Sequence, residues 1–204
     1  MTERKHHWEK VYETKGDHEV SWYQEMPYTS LNLIDSLNLK KESSIIDVGG
    51  GNSNLVIELS KKGFKNLSVL DISGKSLERT KSKIGQTATN INWIVSDILD
   101  FQPSCEFTLW HDRATFHFLT ETEDIEKYIK IVSNTIKKDG YLIIATFSKS
   151  GPKKCSGLDI AQYTKEKLQD LFDRSFEPIQ SFEEMHKTPF KTNQDFICTV
   201  FKRK

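Results

Sequence analysis

The chain has 204 residues, 36% of them hydrophobic and 28% charged, a composition typical of a globular domain large enough for its own core. Its 29 basic and 29 acidic residues balance, so no net charge favours nucleic acid or a membrane surface. No apolar run reaches the roughly 18 residues of a membrane span, and the polar N-terminus does not look like a secretory signal. The three cysteines lack CxxC spacing, which argues against a disulfide framework and a metal site. We therefore expect a cytoplasmic protein without a metal, and no nucleic-acid or membrane partner.

The first forty residues are rich in aromatic and polar side chains. We expect one or two helices here, packed outside a sheet, so that residues 1–40 cap a core formed by residues 41–204 within a single domain. Trp22 and Tyr23 are the best lid candidates, because a closing aromatic segment would exclude water from a bound ligand. The alternative is that these two side chains only pack an N-terminal helix against the core.

From Ser44 onward, short β-branched runs alternate with segments of helical spacing. The pattern predicts strands at Ser44–Val48, Leu67–Leu70, Ile91–Val95, Phe107–Trp110 and Tyr141–Phe147. It predicts helices at Ser53–Lys62, Ser73–Ile84, Asp124–Lys138 and Thr164–Phe172. Such alternation with short connections is typical of βαβ units, and hence of a parallel sheet with helices on both faces.

The last two strand-like runs, Phe176–His186 and Phe196–Lys202, are joined by a loop too short for a crossover helix. Parallel strands need a crossover of about a dozen residues, so these two form an antiparallel hairpin. The predicted fold is therefore α/β. It is a Rossmann-like, doubly wound, seven-stranded sheet that is mostly parallel, with a C-terminal antiparallel hairpin.

Acidic residues and a glycine loop follow the first three predicted strands, at the edge where a doubly wound sheet binds ligands. Asp47 precedes Gly49-Gly50-Gly51, where glycine allows a tight turn and close approach of backbone N–H groups. Asp71 lies twenty residues past Gly51 and can accept hydrogen bonds from two ribose hydroxyls. Asp97 and Ile98 are placed to bracket an adenine. Together these ends predict a site for an adenosine-containing ligand.

The glycine loop argues against two common nucleotide sites. A dinucleotide loop, G-x-G-x-x-G/A, has a third small residue where this chain, counted from Gly49, has Asn54. The P-loop pattern is absent. The loop instead resembles motif I of the class I S-adenosylmethionine-dependent methyltransferases, with Asp71 and Asp97 matching the next two acidic positions. The resemblance extends over residues 40–204 and includes the final hairpin and a helical N-terminal cap.

This resemblance implies S-adenosyl-L-methionine as cofactor and S-adenosyl-L-homocysteine as product. It implies that the glycines pass under the methionine part and that Asp71 holds the ribose. It implies that Asp47 either orients the loop or reaches the methionine amino group through water. The implied cofactor-binding residues are Asp47, Gly49, Gly50, Gly51, Asp71, Ile72, Asp97, Ile98, Trp22 and Tyr23.

A finer resemblance concerns the N-terminal segment. The order Trp8-x-x-x-Tyr12, Ser21-Trp22-Tyr23 and GGGNS is similar to the branch of the elongation-factor lysine methyltransferases and related small bacterial enzymes. In that branch an aromatic N-terminal segment closes over the cofactor. The stretch WHDRATFHFLT departs from those lysine enzymes and resembles small bacterial class I methyltransferases of unassigned substrate.

The candidate residues for binding and activating the methyl acceptor follow the fourth predicted strand. His111 and Asp112 are candidate bases, and Arg113 is a candidate for binding an anionic acceptor. A local ion pair or helix cap is the alternative for Asp112 and Arg113. Participation of Cys155, His117 and His186 stays open.

The leading hypothesis is a methyltransferase acting on a small molecule, such as a thiol or another soft nucleophile. The alternatives are a protein lysine methyltransferase and a non-catalytic regulatory protein that binds S-adenosylmethionine. Nucleic-acid methylation is disfavoured because no Asn-Pro-Pro-Tyr-like motif follows strand four, and an NAD-dependent oxidoreductase is disfavoured by Asn54.

Overall fold

A computed structural model describes residues 2–204, so Met1, the first residue of the predicted cap, lies outside the description. The helices of the described residues are α1 Glu3–Thr14, α2 Tyr28–Ser36, α3 Leu55–Lys61, α4 Gly74–Ile84, α5 Thr122–Thr135 and α6 Lys165–Phe172. The strands are β1 Ser44–Val48, β2 Asn66–Asp71, β3 Ile91–Val95, β4 Phe107–Arg113, β5 Ile136–Phe147, β6 Lys154–Cys155, β7 Leu158–Asp159, β8 Phe176–Lys187 and β9 Asn193–Arg203. Short 3-10 helices lie at Asp17–Glu19, Gly85–Asn90, Ile98–Asp100 and Phe116–Phe118.

Seven strands form one sheet in the order β3-β2-β1-β4-β5-β9-β8. Strands β1 to β5 pair in parallel, and β9 runs antiparallel to both β5 and β8. The predicted fold is confirmed, including the C-terminal hairpin. Strands β6 and β7 form a separate two-stranded hairpin.

The strand order reverses between β1 and β4. Strands β2 and β3 extend to one side of β1, whereas β4 and β5 extend to the other. Such a reversal opens a crevice at the carboxyl ends of the strands. Asp47 of β1 lies opposite His111 of β4 in the register. The end of β4 therefore lies beside the glycine loop.

The sheet separates two main apolar cores. One contains Trp110 with side chains of α5 and α6, such as Tyr128 and Phe172. The other contains Leu109 with side chains of α2, α3 and α4, such as Ile34. Successive residues of a strand point to opposite faces, which explains why Leu109 and Trp110 enter different cores. Each fully buried side chain of this size stabilises the fold by about 1.5–3 kcal/mol.

Several predicted boundaries are wrong, and three of them share one physical reason. Strand β5, predicted to begin at Tyr141, begins at Ile136, which pairs with Phe107 of β4. Strand β4 continues to Arg113 instead of ending at Trp110, because its last residues pair with β1 and β5 on both sides. The helix predicted to reach Lys138 ends at Thr135, since Ile136 already pairs with Phe107 at the start of β5. Pairing with neighbouring strands overrides the local pattern in all three places.

Two features of residues 2–204 bear on the expectations drawn from composition. No helix in this range is both long and apolar enough to cross a membrane. Nor does this range contain a group of three or more His, Cys, Asp or Glu side chains arranged to hold a metal ion.

Candidate active site

The glycine loop leaves β1 with its backbone close to neighbouring side chains. Gly49 has φ +66°, and its N–H donates to the Leu70 carbonyl at 2.7 Å. A Cβ on Gly49 would lie 1.7 Å from Oγ1 of Thr115, and one on Gly51 would lie 2.0 Å from Oγ of Ser76. The loop therefore has no room for side chains at either position, and it presents backbone to the crevice.

Asp71, at the end of β2, connects that loop to α4. Its Oδ2 accepts a hydrogen bond from the Gly51 N–H at 3.0 Å, and its Oδ1 accepts one from the Ser73 N–H at 2.8 Å. Burial raises the pKa of the Asp71 carboxyl to about 6, although these N–H donors oppose the shift. Asp71 is nevertheless one of the residues that line the crevice.

Asp97 and Ile98 form the wall beyond β3. Oδ1 of Asp97 accepts from the Leu99 N–H at 3.0 Å and so caps the 3-10 helix Ile98–Asp100. Its Oδ2 lies 3.7 Å from Nε of Arg4 on α1. Asp97 thus joins the core to the N-terminal segment.

Two adjoining pockets form one elongated cleft along this edge of the sheet. The first lies between Asp71 and Asp97, and Ile72 and Ile98 line it beside them. The second lies beneath the glycine loop and is lined by Asp47, Gly50 and Tyr23, among others. Both pockets share Tyr12, Trp22, Gly49 and Arg113. The structure therefore brings the predicted cofactor residues to one cleft, except that Gly51 lies behind the loop with its N–H on Asp71.

Aromatic residues of the N-terminal segment, Trp8, Tyr12 and Trp22, cover the cleft and form what we call its roof. The Trp8 ring lies 5.6 Å from Trp22 and 5.0 Å from Phe118, centroid to centroid, and Tyr12 lies 6.3 Å from Trp22. The i, i+4 spacing of Trp8 and Tyr12 places them on one face of α1, but the sequence pattern alone does not assign them to the site. Thr115 and Phe118 also line the cleft, and no pattern in the sequence marks Thr115 for this position.

Polar contacts fasten this roof at several points. Glu9 of α1 accepts hydrogen bonds at the N-terminus of α4, from the Ser73 hydroxyl at 3.0 Å and the Gly74 N–H at 2.8 Å. Arg79 donates to the backbone carbonyls of Tyr12 and Lys15. A carboxylate at a helix N-terminus is favoured by the helix dipole, so Glu9 is well placed to hold α1 down.

Two asparagines of the glycine loop complete the fastening. Asn54 donates to the carbonyls of Gln24 and Glu25 at 3.0 Å each. Asn52 donates to Asp17 at 2.7 Å and accepts from Lys83 at 2.9 Å. Asn54, which distinguishes this loop from a dinucleotide loop, thus binds the segment that closes the cleft.

His111 lies within β4 and points into the second pocket. Its Nδ1 is 2.7 Å from Oδ1 of Asp47, and its Nε2 is 2.8 Å from Oγ of Ser30 on α2. Both ring nitrogens are therefore occupied by protein partners.

Asp112 does not line the cleft, in contrast to the expectation that it serves as a base there. Its carboxylate accepts from the Thr115 and Phe116 N–H groups at 3.1 Å each and from the Tyr128 hydroxyl at 2.6 Å. Burial raises its pKa to about 6. Strand alternation sends Asp112 to the opposite face from His111 and Arg113, where it holds the turn after β4.

Arg113 is buried and lines both pockets. Its Nη1 donates to the Trp22 carbonyl at 3.1 Å, and its guanidinium lies 4.7 Å above the Phe196 ring centroid. Its Nη2 is buried without a hydrogen-bond partner, and no carboxylate of residues 2–204 lies within 4.0 Å of its nitrogens. Burial lowers the pKa of Arg113 and the charge of Glu184 opposes this shift, but a guanidinium keeps its proton at neutral pH.

Comparison with known proteins agrees with this geometry. A family model described as a methyltransferase domain matches residues 39–195. The chain belongs to this methyltransferase-domain family. It is an S-adenosylmethionine-dependent methyltransferase, and S-adenosylmethionine is its cofactor.

Curated relatives of this methyltransferase differ in their acceptors. It is 27% identical to EEF1A lysine methyltransferase 2 of Homo sapiens over 189 residues, covering 85% of this chain and 74% of the relative. It is 25% identical to malonyl-[acyl-carrier protein] O-methyltransferase 2 of Ilyobacter polytropus, covering 87% of this chain and 73% of the relative.

Solved structures share the fold of this methyltransferase. A SAM-dependent methyltransferase from Anabaena variabilis superposes with a TM-score of 0.77 at 17% identity, covering 100% of this chain and 96% of that one. N-methyltransferase NodS from Bradyrhizobium japonicum, in complex with S-adenosyl-L-homocysteine, gives 0.70 at 14% identity, covering 96% and 97%.

The cleft of this methyltransferase fits its cofactor. Oδ2 of Asp47 is buried without a partner, and a buried carboxylate oxygen is costly unless a donor such as an amino group reaches it. The glycine loop supplies backbone at close quarters, and Ile72 and Ile98 supply apolar walls beside Asp71 and Asp97. These features suit, in turn, an amino acid, a ribose and an adenine.

The remaining cysteine and histidine candidates do not line the cleft. Burial raises the pKa of the Cys155 thiol to about 11, so it carries little of the reactive thiolate at neutral pH. His117 stacks on Phe147 at 4.4 Å, and burial lowers its pKa to about 3. His186 contacts the Ser21 carbonyl at 2.8 Å and supports the roof.

Proposed function

We propose that this methyltransferase methylates an anionic small molecule, a thiolate or a carboxylate, which Arg113 binds. The observation that carries this proposal is the buried Nη2 of Arg113, which lines the cleft and has no hydrogen-bond partner. A buried guanidinium without a carboxylate partner is costly. An anionic acceptor would supply the missing partner. A planar carboxylate or a compact thiolate can accept hydrogen bonds from the guanidinium.

The position of Arg113 along the cleft supports this role. We assign the ribose and adenine to Asp71 and Asp97, and the methionine part to Asp47 and the glycine loop. Arg113 lines the section that the two pockets share. An acceptor held there would lie between the two ends of the cofactor.

The lack of a free base beside Arg113 supports an acceptor that is already anionic. When bound, the cofactor supplies a methyl group activated by a sulfonium, so the enzyme must mainly orient the acceptor and exclude water. His111 is occupied by Asp47 and Ser30, and Asp112 faces the opposite core. A thiolate or carboxylate needs no deprotonation at the site. Trp8 and Trp22 cover the cleft and would exclude water.

A protein lysine is the second candidate acceptor. The relatives named EEF1A lysine methyltransferase 2 support it. The charge of Arg113 opposes it, because a lysine enters as an ammonium and would meet a like charge. The O-methyltransferase relative fits the anionic candidate better.

A methyl-transfer assay tests the acceptor class. The purified chain is incubated with methyl-labelled S-adenosylmethionine and, in separate reactions, small thiols, small carboxylic acids, small amines and purified EEF1A. We expect label on a thiol or a carboxylic acid. Label on EEF1A or amines, with none on the anionic compounds, would overturn the proposal.

Variants of Arg113 test its role. Arg113→Gln should lower kcat/KM for the anionic acceptor by about 10- to 100-fold, the worth of a hydrogen bond between charged groups. The affinity for S-adenosylhomocysteine, measured by calorimetry, should change far less. The exposed Arg174→Gln is the matched control and should change neither quantity. An unchanged kcat/KM in Arg113→Gln would remove Arg113 from acceptor binding.

A further inference from the structure

Three polar side chains form a buried hydrogen-bonded chain at the second pocket. Asp47 of β1, His111 of β4 and Ser30 of α2 are only 3%, 2% and 4% exposed. The Asp47–His111 distance is 2.7 Å and the His111–Ser30 distance is 2.8 Å. The parallel pairing of β1 and β4 places Asp47 and His111 side by side, and α2 packs over them. These three hydrogen-bonded side chains therefore link the sheet to the segment that covers the cleft.

The partners of His111 fix its tautomer. An ionised Asp47 can only accept a hydrogen bond, so Nδ1 of His111 carries the proton that lies between them. In the neutral ring, Nε2 then accepts from the Ser30 hydroxyl. The imidazole has no nitrogen left with which to take a proton from an acceptor. His111 is therefore poorly suited to act as the base that the sequence predicted.

The second oxygen of Asp47 is free for a ligand. Oδ2 of Asp47 is buried and has no hydrogen-bond partner, whereas Oδ1 is held by His111. Oδ2 lies against the glycine loop, since a Cβ on Gly50 would lie 2.3 Å from it. The loop and the carboxylate therefore face the same small space. An ammonium group is the donor that best satisfies a buried carboxylate oxygen.

We infer that His111 is a positioning residue for the amino-acid end of the cofactor. It holds Oδ1 of Asp47, with Ser30 fixing the ring from the other side, so that Oδ2 is presented to the α-amino group. The inference rests on the orientation of the cofactor assigned in the proposed function. It predicts that His111 distinguishes ligands that carry the amino acid from ligands that lack it.

Calorimetry with two ligands tests this inference. S-adenosylhomocysteine carries the amino acid, whereas 5′-methylthioadenosine has only the adenosine and a methylthio group. In His111→Leu, the affinity for S-adenosylhomocysteine should fall by about tenfold, and that for 5′-methylthioadenosine should not change. His111→Asn should recover most of the affinity, because its amide N–H can replace the Nδ1 donor to Asp47. An equal loss for both ligands, or no loss, would overturn the inference.

Three further variants keep the test decisive. His117→Leu also removes a buried histidine, but one outside the cleft, and should leave both affinities unchanged. If His111→Leu does not fold, Ser30→Ala should show the same ligand preference with a smaller loss, about threefold. Asp97→Ala should weaken both ligands alike. If Asp97→Ala spared 5′-methylthioadenosine, the assumed orientation would be wrong, a failure distinguishable from that of His111.

Discussion

Side-chain direction decides the chemistry of single residues at the end of β4. His111 and Arg113 point to the cleft, whereas Asp112 between them points to the core and binds Tyr128. Three consecutive polar residues therefore serve three purposes: positioning a carboxylate, offering a cation and holding a turn. Ala114, the next residue, has a φ of +66°. The turn after β4 is therefore held in a sparsely populated backbone conformation beside the cleft.

Gly49 offers a residue-scale test of the loop. Gly49→Ala should destabilise the protein by about 2 kcal/mol and abolish binding of S-adenosylhomocysteine, because its Cβ would collide with Thr115 and its φ is positive. Denaturant unfolding and calorimetry measure the two effects. Gly63→Ala is the matched control, since Gly63 also has positive φ but no atom within 4 Å of its Cβ position. It should cost about 1 kcal/mol and keep binding. Full binding by Gly49→Ala would contradict the close approach of this loop.

Asp71 gives the cleft a pH dependence. Its pKa in the free protein is raised to about 6 by burial, and ribose hydroxyls donate best to the ionised form. Affinity for S-adenosylhomocysteine should therefore be constant well above pH 6 and fall by up to tenfold per unit below it. Calorimetry between pH 5 and 8 measures this. Asp71→Asn should bind more weakly at neutral pH and lose the dependence. A wild-type profile that matches that of Asp71→Asn would argue against the ribose assignment.

The sequence predicts some of these residues and not others. Asp47, Asp71 and Asp97 could be found because each ends a short apolar run, and strand ends meet at one edge of a sheet. The direction of Asp112 could not, since it depends on β4 continuing to Arg113 through pairing on both sides. Thr115 and Phe118 reach the cleft only through the turn that Asp112 holds, a contact that no local pattern reveals.

At the scale of elements, helix α1 covers the cleft although it lies outside the sheet and its connecting loops. Its aromatic face supplies Trp8 and Tyr12, and its polar face supplies Glu9 to the start of α4. The sequence predicted a helical cap, but not its attachment, because Glu9 and Gly74 are 65 residues apart. Predicted helices α3, α4 and α6 agree closely with the structure, since their caps and spacing are local signals.

Glu9 tests whether α1 stabilises the closed cleft. Glu9→Gln removes the charge that accepts from Ser73 and Gly74, so α1 should detach more often. Amide hydrogen exchange should become faster in Glu3–Thr14, and S-adenosylhomocysteine should bind about threefold more weakly. Glu13→Gln is the control on the same helix, because Glu13 makes only an exposed pair with Lys75. If both variants exchanged alike, the contact of Glu9 with α4 would have no special importance.

At the scale of the molecule, the reversal of strand order between β1 and β4 places every part of the cleft. It brings the ends of β1, β2 and β3 to one side and the end of β4 beside them. We propose that the former bind the cofactor and the latter the acceptor. The sequence predicted a mostly parallel, doubly wound sheet with a final antiparallel hairpin from the βαβ pattern and the short last loop, but not the order of its strands. The pattern predicted a cap but not how residues 2–30 attach over the cleft, because that attachment depends on contacts between segments far apart in sequence.

A crystal structure with S-adenosylhomocysteine tests the account most directly. We predict the adenine beside Asp97 and Ile98, the ribose hydroxyls on Asp71, and the amino group within hydrogen-bond distance of Oδ2 of Asp47. The sulfur should face the section of the cleft that Arg113 and Trp22 line. A ligand bound in the reverse direction, or outside this cleft, would contradict the assignment of both the cofactor and the acceptor sites.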